Sequence, residues 1–589
     1  MLLVRVLLLL SVSAFAQDVC PRYEPGSELR NPVNLYSVNN YLDVHASYES
    51  RSDDDHALQL YCYMTAKGAQ SPTLRVKPGD ILLFTLTNNA GSANNSEIPL
   101  PFACGSQTML YPSTTNLHFH GLHAPPGCHV EEVLHTVINQ GESYTYALQI
   151  PQSQSAGMYW YHPHIHGISE ATVQGGASGA IIVEGIENVQ PAVGGLPEQI
   201  LIFRDYNSDD TDPTMPSFQV TVNYAYDPYP DYSAPFLRVQ PDQKQFWRAL
   251  NSASNAILEL QLRYEGVAQP IDIVALDGVP FGSGKTATLL TKTSILLPPA
   301  SRVEFIVTTP GVSVKEAILY TLTVDTGTEG DINPERPLLN IIPDYDAPSP
   351  AVTIPSPSVA TPLTRISPRL SQVIARRTRH LYFSSIPVYD NDTDSDTIFF
   401  ITVDGQEPQA FSMNSLSQPA SVIVEAGTVE DWIIENRALE SHVFHIHQLH
   451  FLLVARNQIK VSVDDQQYLD NVLIPPWDGV SVYPSVTLRM RFDASVTGKF
   501  VYHCHILEHE DKGMMAVIEV VPRSFRFRDE ESGFFSYFAP TSSTHPERDG
   551  ALVFGFLLVA VVVIAGGVIT YIRKRKPHWQ NLLAETELV

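Results

Sequence analysis

The chain has 589 residues, with 63 Asp and Glu against 37 Lys and Arg, a formal net charge of −26 and a pI near 5.1. That length is too great for one hydrophobic core and suits three or four domains. The acidity excludes nucleic acid as a partner and reads as a solvated surface that can also attract cations.

Met1–Ala16 has the pattern of a signal peptide: Arg5 near the start, a Leu-rich apolar stretch and Ala14-Phe15-Ala16 as a cleavage site. From there to about residue 522 the apolar runs are short and are punctuated by Pro, Gly, Asn and Asp, as in Ile81–Leu86, Ala180–Val183, Leu319–Val324 and Phe451–Val454. That rhythm predicts an all-β chain. A repeat underlies it. Val76 to Asn88, Val239 to Asn251 and Val424 to Asn436 each span twelve positions, with a short turn at Pro78-Gly79, Pro241-Asp242 or Ala426-Gly427 ahead of an apolar stretch. The copies lie 163 and 185 residues apart, a spacing that fits tandem β-sandwich domains and not a solenoid. The expected domains are 17–190, 191–355 and 356–522, the second boundary falling in a stretch rich in Pro, Ser, Ala and Thr between Pro343 and Pro362.

Residues 523–550 read as a polar juxtamembrane stalk. Ala551–Ile572 is a charge-free apolar run long enough to cross a ~30 Å hydrocarbon core as one helix. Arg573-Lys574-Arg575-Lys576 follows at once, which places the tail 573–589 in the cytoplasm by the positive-inside rule. The expected topology is single-pass type I, with the domains outside the cell at the plasma membrane. The sequons at Asn94 and Asn391 agree with an exported glycoprotein. Of five cysteines, Cys20, Cys62, Cys104 and Cys128 can form two disulfides in any of three pairings, and Cys504 is left over.

Four histidine clusters stand out: His118-Phe119-His120, His162-Pro163-His164, His442-Val443-Phe444-His445-Ile446-His447 and His503-Cys504-His505-Ile506-Leu507-Glu508-His509. On a strand, residues i and i+2 share a face and i+1 takes the other, so His503 and His505 face away from Cys504, and His445 and His447 away from His442. Two metal sites joined through one strand follow. Cys504, His442, His509 and Met514 supply a thiolate, two imidazoles and a thioether, the donor set of a blue-copper electron-transfer site. Closed zinc sites favour several cysteines or a compact ligand set, and this pattern has neither.

The repeat acts as an internal control. Nine and eleven residues beyond Asn436 lie His445 and His447, whereas the same offsets from Asn251 give Leu260 and Leu262. Gly157 precedes His162-Pro163-His164 by the same five residues that separate Gly498 from His503-Cys504-His505, so Pro163 stands in the place of Cys504. Eight histidines therefore come equally from the first and third domains, and a shared site puts it where those domains meet.

The four clusters in this order resemble the copper signature of three-domain multicopper oxidases, the laccase, ferroxidase and bacterial copper-oxidase family, over roughly residues 60 to 520. The resemblance implies three cupredoxin-like Greek-key sandwiches, a type 1 copper that accepts electrons singly and a trinuclear cluster that reduces dioxygen to water. It implies four copper ions: type 1 on His442, Cys504, His509 and Met514; type 2 on His118 and His445; and a type 3 pair on His120, His162 and His505 and on His164, His447 and His503. Glu131 lies near a position where relatives carry Asp, and Glu510 follows the ligand His509; both are candidate proton relays. His123, His129, His135, His166 and His450 exceed the ligand count and read as groups that support the ligands.

Met514 in the axial place suggests a lower-potential oxidase for easily oxidised donors. The candidates are phenols and aromatic amines, or ferrous iron beside a metal permease; with only nine Met and no Met-rich insertion, cuprous ion ranks last. A non-catalytic surface protein of the same fold would have lost ligands, and here every ligand position is filled.

Overall fold

The computed structural model describes residues 18–523 apart from 54–57, 92–97, 100–103, 105–108, 208–214, 217, 231, 282–288, 351, 353–369, 391–392 and 463–465. The signal peptide, stalk, apolar span and tail, both sequons and most of the expected linker lie outside these residues. Among the described residues no helix is long and apolar enough to cross a membrane.

Six main sheets pair into three sandwiches, each closed over its own apolar core. The first core runs from Leu42 and Phe84 to Tyr161 and Val183, the second from Leu201 and Trp247 to Ile341, and the third from Leu381 and Trp432 to Val520. The topology repeats. Ile81–Asn88, Lys244–Asn251 and Thr428–Asn436 each pair in parallel with the strand that opens their sheet, respectively Tyr41–Asp53, Glu198–Asn207 and Arg377–Asp390.

The asparagine that closes each copy of the repeat explains why the sequence keeps it. Asn88, Asn251 and Asn436 are fully buried. Each side-chain amide donates to two backbone carbonyls: Ser113 and Ile138, Ala256 and Leu297, or Glu440 and Pro475. Each side-chain oxygen then accepts the N–H of the Ala two residues on. One side chain thus satisfies three backbone groups where the chain leaves the sheet, a place where unpaired polar groups are expensive.

Apolar and charged contacts join the sandwiches. Met158, Trp160, Ala180 and Ile182 of the first form a core with Ile200, Ile202, Leu250 and Ala300 of the second. Beside it Arg75 and Arg248 share the Glu198 carboxylate, and Arg248 also pairs with Glu304. The first and third meet through Val133 and Leu134 against Phe411, Val501, Met515 and Val517. The N-terminal segment crosses over: Tyr23 bridges to Ala225, Glu28 to Phe236, and Leu29 joins the second core. The two disulfides are Cys20–Cys62 and Cys104–Cys128, and Cys504 is free and buried.

Candidate metal centres

Strand Gly498–Cys504 lies antiparallel to His442–Ile446 on one side and to Met515–Val521 on the other. Phe444 faces Cys504 across the first pair and His445 faces His503, so the alternation of side chains sends thiol and imidazoles to opposite faces. Cys504 Sγ is 3.7 Å from Nδ1 of His442 and 3.7 Å from Nδ1 of His509, and those nitrogens are 2.9 Å apart. The short helix Leu507–Asp511 returns the chain: Met514 N–H donates to His509 O and Cys504 N–H to Met514 O, which holds the buried Met514 beside the trio. Val443 N–H donates to the sulfur at 3.3 Å, and Phe399 stacks on His509 with ring centres 4.2 Å apart.

The other face of the same strand looks onto eight histidines, all buried. His118 and His120 come from strand His118–His120, His162 from Gly157–His162, and His445 from His442–Ile446. Nε2 of His503 is 3.3 Å from Nε2 of His164 and 3.3 Å from Nε2 of His447. His120, His162 and His505 form a second group, with ring centres between 5.2 and 5.9 Å apart. The ring centres of His118 and His445 are 6.2 Å apart.

Backbone carbonyls fix several of these rings. His162 Nδ1–H donates to Pro163 O, and His503 Nδ1–H donates to Cys504 O in the equivalent place on the third sandwich. His445 Nδ1–H donates to Asp470 O at 2.7 Å. A ring whose outer nitrogen carries the proton offers the lone pair of the other to a metal. The fit of a metal can be judged from the atoms left over. Nε2 of His118, His162 and His445, Nδ1 of His120 and His447, and both nitrogens of His505 are buried and have no hydrogen-bond partner. Buried polar atoms without partners are costly, and a cluster of them on neighbouring imidazoles fits metal cations as their partners. Burial and mutual repulsion hold these histidines below their usual range, His162 to about 3 and His503 to about 4, so the rings are neutral and ready to ligate. Burial pushes the Cys504 thiol up to about 12, so a thiolate forms there only beside a metal cation.

Glu131 hydrogen-bonds Nδ1 of His118 and accepts Phe119 N–H. Burial raises its pKa well above the usual carboxylate range. Glu510 is fully buried and raised to about 7 by burial; one of its oxygens lies 3.4 Å from Nδ1 of His166 and the other has no partner. His166 and His164 both line a small, largely apolar pocket between the first and third sandwiches. The remaining histidines support the centre from outside. His123 Nε2 is 2.7 Å from His450 Nδ1, His135 bonds Glu132, and His129 stacks on Tyr144.

Spacing alone did not reveal Glu440, whose carboxylate lies 3.2 Å from Nε2 of His509. It did not reveal Asp470 either, which reaches His120 and His445 from 20 or more residues beyond the nearest histidine cluster. Glu440 stands two residues before His442, so proximity in sequence was the one available signal.

The multicopper oxidase family matches residues 108–188 and 390–524, the two stretches that carry the histidine clusters. Over 478 residues the chain is 23% identical to the iron transport multicopper oxidase FET3 of Gibberella zeae, covering 76% of this chain and 70% of that protein. It is 21% identical to a laccase of Bacillus subtilis over 403 residues, covering 63% and 72%. A crystal structure of a variant of the McoA multicopper oxidase of Aquifex aeolicus superposes with a TM-score of 0.61 at 20% identity, covering 84% of this chain and 100% of that one. The family matches over both histidine-bearing stretches, together with these relatives, put the chain in the multicopper oxidase family, copper-dependent oxidoreductases that use dioxygen as acceptor.

Proposed function

We propose that the chain binds four copper ions and oxidises a reduced metal cation, ferrous iron first among candidates, with Glu440 as the residue that receives it. When bound, copper supplies the one-electron couple beside Cys504 and the site of dioxygen reduction among the eight histidines. The ligand sets are those expected from the sequence: His442, Cys504, His509 and Met514 for type 1; His118 and His445 for type 2; and His120, His162, His505 with His164, His447, His503 for the type 3 pair. Support comes from the distances within each group and from the unpartnered nitrogens that face inward.

The observation that carries the choice of donor is the contact between Glu440 and His509 Nε2. The imidazole N–H donates to the carboxylate, so a cation held on the other oxygen of the largely buried Glu440 is one hydrogen bond from a type 1 ligand. Glu508, one-third exposed, adds negative charge nearby, and Lys512 balances it together with Asp396. His509 Nδ1 is 3.7 Å from Cys504 Sγ, and from Cys504 the path to the second centre is covalent, through its neighbours His503 and His505. Burial disfavours the charged forms of Glu131 and Glu510 and raises both pKa values, that of Glu510 to about 7, and each lies beside the histidines where a proton can be passed.

A phenolic donor is the second reading. Val480 and Val482 are 90% and 78% exposed on a loop whose Trp477 N–H bonds Ala438 and whose Gly479 lies against Leu439, the neighbour of Glu440. Oxygen uptake by the copper-loaded chain with ferrous iron and with a methoxyphenol, compared as kcat/KM, separates them. Preference for iron is expected, and Glu440→Gln should lower kcat/KM for iron about 10-fold while the phenol changes by less than about 3-fold. A preference for the phenol that Glu440→Gln leaves intact would reverse the assignment.

We further place the enzyme on the plasma membrane as three cupredoxin-like domains outside the cell, tethered by Ala551–Ile572 and working beside a metal permease. The supports are the signal-like start, the apolar run and the basic cluster after it. Protease treatment of intact cells should remove the oxidase and leave only the tail segment behind.

A further inference from the structure

We propose that Arg302 and Asp277, from the second sandwich that supplies no ligand, are positioning residues of the histidine centre: they grip Asp470 and thereby fix which nitrogen of His120 and of His445 faces the metal. The inference rests on the ligand reading above.

Arg302 is fully buried, and its guanidinium meets Asp470 as a fork, Nη1 donating to Oδ1 at 2.7 Å and Nη2 to Oδ2 at 2.6 Å. Nη1 also donates to Ala300 O at 2.9 Å and Nε to Met158 O at 3.2 Å. Met158 lies on the strand that carries His162, so one side chain ties all three sandwiches together at the edge of the centre. Asp277 completes the grip. Its Oδ1 accepts the Arg302 N–H, and its Oδ2 accepts the N–H groups of Asp470 and Asn471. The carboxylate and the backbone of Asp470 are thus both held by the second sandwich.

Asp470 acts on two ligands at once. Its backbone oxygen accepts Nδ1–H of His445, which leaves Nε2 for the metal, and that Nε2 has no other partner. Its carboxylate Oδ1 lies 3.4 Å from Nε2 of His120, which the amide of the next residue, Asn471, also meets at 3.3 Å; Nε2 is thus turned to this pair, and Nδ1, without a partner, is left for the metal. The two rings are stacked, 4.0 Å apart and 18° from parallel, yet must present opposite nitrogens. A residue that meets one ring through its backbone and the other through its carboxylate achieves this only if it is itself immobile. Gly121, directly after His120, shows how tightly the grip closes: at φ +85° a Cβ would lie 2.7 Å from Asp470 Oδ2 and 2.8 Å from Arg302 Nη2. A lysine at 302 would keep the charge and lose the planar fork.

The test uses the copper-loaded full-length protein and three substitutions, Arg302→Lys, Arg302→Met and Arg248→Lys. Arg248 is an equally buried arginine of the same sandwich whose carboxylate partners, Glu198 and Glu304, bond no histidine. Copper per chain, the type 1 visible band, the type 2 electron paramagnetic resonance spectrum and Tm are read for each. Arg302→Lys should alter the type 2 hyperfine splitting, or lose up to one copper per chain, while the type 1 band stays as in the parent; Arg302→Met should do so more fully. Arg248→Lys should lower Tm with both copper signals unchanged. If Arg302→Lys keeps the parent type 2 spectrum and copper content, or loses type 1 and type 2 copper in parallel, the positioning role is overturned, and the lysine variant decides even if the methionine variant fails to accumulate. A parent without a type 2 signal overturns the ligand reading instead.

Discussion

Asp227 illustrates what a single buried carboxyl does to this protein. It is fully buried, and neither oxygen has a hydrogen-bond partner. Burial raises its pKa to about 7, against the pull of the Arg336 cation. The folded state therefore binds the proton more tightly than the unfolded chain, so stability is full below the unfolded pKa of about 4 and is lost as pH rises through about 7. Asp227→Asn removes that loss. The Tm of the variant relative to the parent should rise steadily between about pH 4 and pH 7 and level off above. The same scale shows where sequence reading stops. His118, His445 and the other candidate ligands stand out because each sits in a short cluster with strand spacing. Glu440 and Arg302 do not, because a lone acid and a lone arginine have no pattern. Their significance arises only when the chain brings one beside His509 and the other, 168 positions away, beside Asp470.

Among elements, the strand that carries Cys504 and the helix that follows it do the joining. Asp511, two residues after His509, accepts the N–H groups of Gly167 and Ser169 on one oxygen and that of Glu170 on the other. These amides open the helix Ser169–Gln174 just beyond His164, so the element that ends one metal site anchors the segment that begins the other. Asp511→Ala strands three donors and should destabilise the protein by about 1–3 kcal/mol in denaturant titration. Much of the element order was legible. The repeat that ends in Asn88, Asn251 and Asn436 marked the same strand in all three sandwiches, and the alternation around Cys504 placed thiol and imidazoles on opposite faces. The excursion of residues 23–29 to the second sandwich was not legible, since a parallel bridge between distant segments leaves no local periodicity.

At the scale of the whole molecule, the three sandwiches share one buried centre to which two of them contribute histidines and the third contributes Arg302. Without metal, that centre is a concentration of unpartnered nitrogens in a dry interior. Copper bound only by the folded state adds its binding free energy to stability. Removal of copper by a chelator under reducing conditions should lower Tm by on the order of 10 °C, and readdition should restore it. A chain that melts at the same temperature with and without copper would show that the sandwiches do not depend on the shared centre for their association.

The pairing of the cysteines also bears on how the chain is made. Both disulfides close short loops, with sequence separations of 42 and 24 residues, and all four partners lie within the first 128 residues. Cys504 belongs to one of the last strands to be synthesised and is buried once that strand is paired. Domains form in order as a chain emerges, so in an oxidising compartment both crosslinks are expected to close before the fifth thiol appears. That order would protect the one sulfur that must stay unpaired, with no need for a separate guard against mispairing.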